Sequence, residues 1–224
     1  MISGSDQRRT LAAAGTLLVL PFALFAWVPG IGPPETTDAA GNQIRYVLLL
    51  IDSVAVAGGL ILLRHSLIST GDKFYSLLGF AAVVLAGPIY TVFAAIQLAE
   101  YRAMLHAGVE KTPAEWLVAE QVSVILLFTG VFLAHLAAAA FAAALGRAQW
   151  VGSKTRLILV GLSLLAALSV AVNVADVFAF PKGPMWGFQH AYAVPGFVFS
   201  IPAIPWMIPC VLGIVLLDRA RATP

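Results

Sequence analysis

Charge is the scarcest property of this sequence. Asp, Glu, Lys and Arg make up 11% of its 224 residues, where soluble domains carry about 25%. Hydrophobic residues make up 60%, and the mean hydropathy is +0.92. A chain of this size could not hide so much apolar surface in one core, which excludes a soluble globular protein and predicts solvation by lipid. There is no basic run of the kind that suits nucleic acid, and the net charge is only +2. The single cysteine, Cys210, permits no intrachain disulfide. Also missing are H-E-x-x-H, the P-loop and G-x-G-x-x-G, the G-x-S-x-G elbow, a paired-Glu motif of the intramembrane prenyl-protease kind and a lipid-phosphatase signature. No His/Cys/Asp spacing suits zinc. Haem would need two histidines at one depth, and His65, His106 and His190 do not match His135. No cofactor or metal is therefore expected, and whether the protein is an enzyme stays open.

What is present is apolar length. About 20 apolar residues cross a bilayer core as a helix, and six stretches qualify: 10–29, 45–65, 74–98, 116–146, 157–180 and 196–217. The expectation is an all-α, polytopic membrane protein with a single transmembrane domain over 1–224 and no internal repeat. Thr112-Pro113-Ala114-Glu115 carries the start signals of the fourth span: a capping Thr, a first-turn Pro and a Glu three residues on. Arg8-Arg9 before "TLAAAGTLLVLPFALFA" resembles a signal peptide. It lacks a clean small-x-small cleavage site, so the stretch reads as a first span with a positive flank.

Lys and Arg flanking the spans set the orientation. Nine (Arg8, Arg9, Arg64, Lys73, Arg147, Lys154, Arg156, Arg219 and Arg221) fall on one side, and four (Arg45, Arg102, Lys111 and Lys182) on the other. Both termini are therefore expected in the cytoplasm, in a bacterial-type inner membrane. The aromatics before span 6, Trp186, Phe188, Tyr192 and Phe197, read as an interfacial belt.

Ionisable groups inside a span cost roughly 2.5–3.5 kcal/mol each on insertion scales, which makes each a candidate for function. Asp52, Glu120 and Asp176 fall on three different spans, roughly 6–10 Å below the outer surface at 1.5 Å per residue. Asp52 shares a face with Ala55 and Gly59, and Asp176 shares one with Ala166, Ser169 and Asn173. Small residues let helices approach closely in lipid, so both aspartates should face protein. Each could equally serve structure, for example as an ion pair of Arg45 with Asp52 or Asp176. His135 lies near the middle of span 4 with Ala138, Ala139 and Ala142, as a structural hydrogen-bonder, proton relay or ligand.

Pro202, Pro205 and Pro209 crowd the first half of span 6, and Pro88 interrupts span 3. Each removes a backbone donor, and bare carbonyls at membrane depth are tolerated where protein or water covers them. These prolines are expected to break their helices. Together with the carboxylates they predict an outward-facing polar cavity bounded by spans 2, 4, 5 and 6.

An outer loop after span 1, a basic 2–3 junction, Gln149-Trp150-Val151-Gly152 leading into span 5 and a short basic tail resemble a family of uncharacterised six-span bacterial membrane proteins. The resemblance covers most of the chain and implies architecture, with no activity or site residues. Three function classes remain. One is a transporter or binding protein for a small solute or ion, using Asp52, Glu120, His135, Asn173 and Asp176. Another is a membrane enzyme acting on lipid or isoprenoid substrates with carboxylates as acid and base. The third is a non-catalytic membrane subunit or assembly factor. The expected partners are the lipid bilayer, a small molecule or ion, and a second copy or another membrane protein.

Overall fold

The computed structural model of the chain describes residues 4–27, 39–108, 117–179 and 204–222. Six α-helices make up almost all of them: α1 (Gly4–Trp27), α2 (Ala39–Ile68), α3 (Phe74–Ala107), α4 (Leu117–Arg147), α5 (Ser153–Ala179) and α6 (Ile204–Ala222). Four of these helices contain stretches long and apolar enough to cross a membrane: Tyr46–Ile68, Phe74–Ala107, Ile125–Arg147 and Ser153–Ala171. Several helices run past the apolar stretches read from sequence: α2 begins at Ala39, α3 continues to Ala107 and α5 begins at Ser153.

Neighbours in sequence pack as neighbours in space. α1 lies against α2, α2 against α3, α3 against α4 and α4 against α5, and α6 returns to pack on α1. α4 is the innermost: 61% of its apolar stretch is buried, against 28% of that of α5. Its Ala137–Ala140 run, with Ala142 and Ala144, is buried throughout. Small side chains let α3 and α5 pack closely on it, with lighter contacts from α6 and α2. The outward surface is the reverse of a soluble protein's. Val54, Leu77, Leu85, Ile125 and Leu168 are among many large apolar side chains that project away from the bundle, an arrangement suited to lipid and costly in water.

Glycines set the closest crossings. A Cβ on Gly15 would lie 2.8 Å from the Gly213 carbonyl oxygen, and one on Gly213 would lie 2.8 Å from that of Gly15, so α1 and α6 touch backbone to backbone. Gly59 of α2 receives Leu18 and the backbone of Ala14 from α1, and Gly79 of α3 receives the ring of Phe141 from α4.

The prolines do not interrupt their helices. α1 runs through Pro21, α3 through Pro88 and α6 through Pro209. At Pro88 the carbonyl that loses its helical donor is that of Val84, four residues back, and α3 continues through the gap; one turn further on, the Thr91 hydroxyl donates to the Gly87 carbonyl at 2.9 Å. The described part of α6 begins at Ile204, one residue before Pro205. The expected breaks at Pro88 and Pro209 are therefore single missing bonds in continuous helices. Pro202, the Thr112–Glu115 start signal and the aromatic segment around Trp186 lie outside the described residues.

Candidate functional site

Asp52 is the polar group that the fold treats least generously. Its side chain is 0% exposed, and neither carboxylate oxygen has a hydrogen-bond partner among the described residues. Its place on α2 follows from helical register. Gly59 meets α1 at Leu18, and Asp52 lies seven residues earlier, two turns along the same face. The face that carries Asp52 is thus the one α2 turns towards α1, as its small neighbours Ala55 and Gly59 imply.

A cavity of about 30 Å³ opens beside this point, between α2, α3 and α4. Ser53 and Ala57 line it from α2, Gly87 and Tyr90 from α3, and Ala134 from α4. A volume of about 10–15 Å³ holds one water, so the cavity has room for one or two. Asp52 is the sequence neighbour of Ser53, and His135, also 0% exposed, is the neighbour of Ala134. The cavity therefore fixes Asp52, Tyr90 and His135 at a similar level in three different helices. Ser53 spends its hydroxyl proton on the Leu49 carbonyl of its own helix, at 2.7 Å.

On the side of the cavity away from the basic loops, aromatic rings close the bundle. Tyr46 stacks on Tyr101 with centroids 5.5 Å apart and meets Phe93 edge-on at 5.9 Å. These rings join the start of α2 to the second half of α3 and belong to a buried cluster with Leu49, Tyr90, Phe128 and Val131. A buried carboxyl group without a donor needs its own proton, a cation or a donor brought by a ligand. Asp52 can therefore bind a small cation or cationic group, or carry a proton.

The other residues singled out from sequence are divided by the fold. Ala166 is buried and Ser169 half-buried on α5, and the Ser169 hydroxyl donates to the Leu165 carbonyl at 3.0 Å. Glu120 lies on α4, and Asn173 and Asp176 lie on α5. Their side chains, and those of Arg45 and Pro205, are outside the described residues, as is the outer part of any cavity that α5 and α6 would form. Pro88 is exposed and Pro209 buried. The structure brings α3, through Gly87 and Tyr90, to the cavity beside Ser53; the sequence pattern had pointed to a cavity among spans 2, 4, 5 and 6.

A second polar cluster, at the opposite end of the bundle, escaped the sequence reading. Asp72 is buried, and its Oδ2 accepts the Ser76 backbone N–H at 2.8 Å, which caps α3 from two residues before its first turn. The Ser76 hydroxyl answers with a bond to the Asp72 carbonyl at 2.9 Å. Asp72 Oδ1 lies 3.8 Å from Arg147 Nε at the end of α4. An acid just ahead of an apolar run is a helix-start signal, and that signal was present in the sequence. Arg64 lies over the Phe80 ring and Arg219 over the Trp150 ring, with guanidinium-to-centroid distances of 4.4 and 5.9 Å.

Among the described residues, no group of three or more His, Cys, Asp and Glu side chains could hold a metal ion. Comparison with protein-family models, with curated proteins and with solved structures finds no match.

Proposed function

We propose that the chain is a six-span integral protein of a bacterial-type inner membrane, with both termini cytoplasmic, that binds a small cation or cationic solute at Asp52. The observation that carries this reading is a fully buried carboxyl group with no hydrogen-bond donor on either oxygen among the described residues, in a bundle whose outward face is apolar. Such a group is expensive at membrane depth, and nothing described in the fold compensates it. A ligand or proton would.

Orientation has separate support. Asp72–Arg147, Arg64–Phe80 and Arg219–Trp150 tie the 2–3 link, the 4–5 link and the last helix together at one end of the bundle. Seven of the chain's Lys and Arg lie in or beside those three segments, and Arg8 and Arg9 begin α1 at the same end. That clustering is the charge asymmetry expected of a cytoplasmic face.

The test is native mass spectrometry of the full chain released from mild detergent. A reproducible small adduct on the wild type that disappears with Asp52→Asn supports the site. An adduct retained equally by Asp52→Asn sinks it.

A further inference from the structure

Five serines are buried among the described residues: Ser53, Ser66, Ser76, Ser123 and Ser163. Four of them donate the hydroxyl proton to the carbonyl four residues back in the chain. Ser123 does not. It is 1% exposed, and its Oγ has no hydrogen-bond partner among the described residues. A buried hydroxyl that leaves its own helix unbonded is aimed at something else. Register identifies what it faces. Gly130 of α4 meets Tyr90 of α3, and Phe141 of α4 meets Gly79, so the two helices run antiparallel. Two turns further out, seven residues along each helix, the same two faces carry Ser123 and Gln97. Gln97 Nε2 donates to Glu100 Oε2 at 2.8 Å, which leaves the amide oxygen of Gln97 as an acceptor. The Ser123 hydroxyl, the Gln97 amide oxygen and the Glu100 carboxylate form one patch of oxygens between α3 and α4.

We infer that this patch is a second binding site, separate from Asp52, for a hard metal cation entering from the outer side. Ala57 of α2 meets Gly87 of α3, which sets Asp52 near the level of Val92, about 8 Å deeper than Gln97 at 1.5 Å per residue. About 20 residues of α3, counted from Phe74, cross the hydrocarbon core, so Gln97 and Glu100, both half-buried, stand at its outer boundary. A hydrated ion reaches them there without crossing lipid. Oxygen ligands with no nitrogen or sulfur among them select sodium, calcium or magnesium over softer metals. Glu100 supplies the negative charge. Ser123 gives its one proton to a neighbouring oxygen and ligates through its lone pairs. A water brings only two protons to these three groups, whereas a cation answers all of them. Two of the three ligands are neutral, so the site is no cluster of acids.

The test is equilibrium dialysis of the full chain in mild detergent against radioactive sodium or calcium, with choline chloride holding the ionic strength. The wild type should bind one of the two ions saturably. Ser123→Ala breaks no hydrogen bond among the described residues, so it should fold as the wild type does. It should nevertheless weaken that binding about tenfold or more, the usual effect of losing a polar partner to a charge. Glu100→Gln should abolish it. Thr129→Ala should leave it unchanged, because that hydroxyl, also on α4, is bonded to the Ile125 carbonyl at 2.7 Å. Asp52→Asn should keep the ion that depends on Ser123. Absence of saturable binding of either ion, or undiminished binding by Ser123→Ala, overturns the inference. Binding lost only in Asp52→Asn sustains the site at Asp52 and sinks this one; binding lost only in Ser123→Ala and Glu100→Gln does the reverse.

Discussion

Replacing Asp52 by leucine separates a carboxylate kept for binding from one kept for structure. The two side chains have the same branching, with two methyl groups in place of two oxygens. Because both oxygens are buried and lack donors among the described residues, the substitution removes a desolvation cost of about 1–3 kcal/mol and supplies an apolar group to a packed surface. Methyl groups are larger than oxygens, and a near-isosteric change of this kind costs less than about 1.5 kcal/mol in strain. Asp52→Leu should therefore be neutral to stabilising, by up to about 2 kcal/mol, while abolishing the small-ligand adduct. Asp52→Asn should change stability little and also lose the adduct. Stability can be followed by helical circular dichroism during titration from mild detergent into dodecyl sulfate. Loss of about 3–5 kcal/mol by both variants, the usual result of breaking a buried ion pair, would refute the reasoning. It would indicate a structural counter-charge, with Arg45 the first suspect.

Three further outcomes follow from the packing. Gly213→Leu should destabilise the chain by at least about 1–3 kcal/mol in the same titration, because its Cβ meets the Gly15 carbonyl at 2.8 Å; Gly161→Leu, facing open space, should not. Gln149 holds φ at 58°, where a side chain costs roughly 1–2 kcal/mol, and the Trp150 N–H closes the end of α4 by donating to the Leu145 carbonyl at 2.9 Å. Gln149→Gly should thus stabilise by about 0.5–1 kcal/mol, and an unchanged midpoint would count against the left-handed assignment. For topology, in a Cys210→Ser background, cysteines at Lys73 and Ser153 should react with an impermeant maleimide only from the cytoplasmic side and one at Ala107 only from outside. Labelling of Lys73→Cys and Ala107→Cys from the same side would refute the orientation.

The helices were legible because lipid solvation leaves a strong signal in composition. Asp52 was legible because an acid inside an apolar run is conspicuous. Helix adjacency was not. An apolar run says that a helix exists and little about which face meets which neighbour, so Gly87 and Tyr90 of α3 could not be assigned to the cavity beside Ser53. The prolines misled for a related reason. Counting them predicts broken helices, but α3 runs on through Pro88 and α6 through Pro209, so each lost donor opens one bond and leaves the helix whole. Asp72 was passed over because an acid in a short link looks solvated. Its burial depends on Ser76 and Arg147, one of which lies 75 residues away in sequence.

The meeting of Gly15 with Gly213 has a consequence for how the protein is made. The two glycines are 198 residues apart, so at about 5–20 residues per second α1 waits roughly 10–40 s for the helix that completes it. Throughout that interval the face bearing Leu11, Gly15 and Leu18 lacks α6. Lipid or an insertion chaperone must occupy that groove and then leave it without a trace, since the closed crossing leaves no room for a methyl group. The last helix therefore acts as a displacing agent as well as a strut, and its arrival sets the time at which the bundle becomes a single packed body.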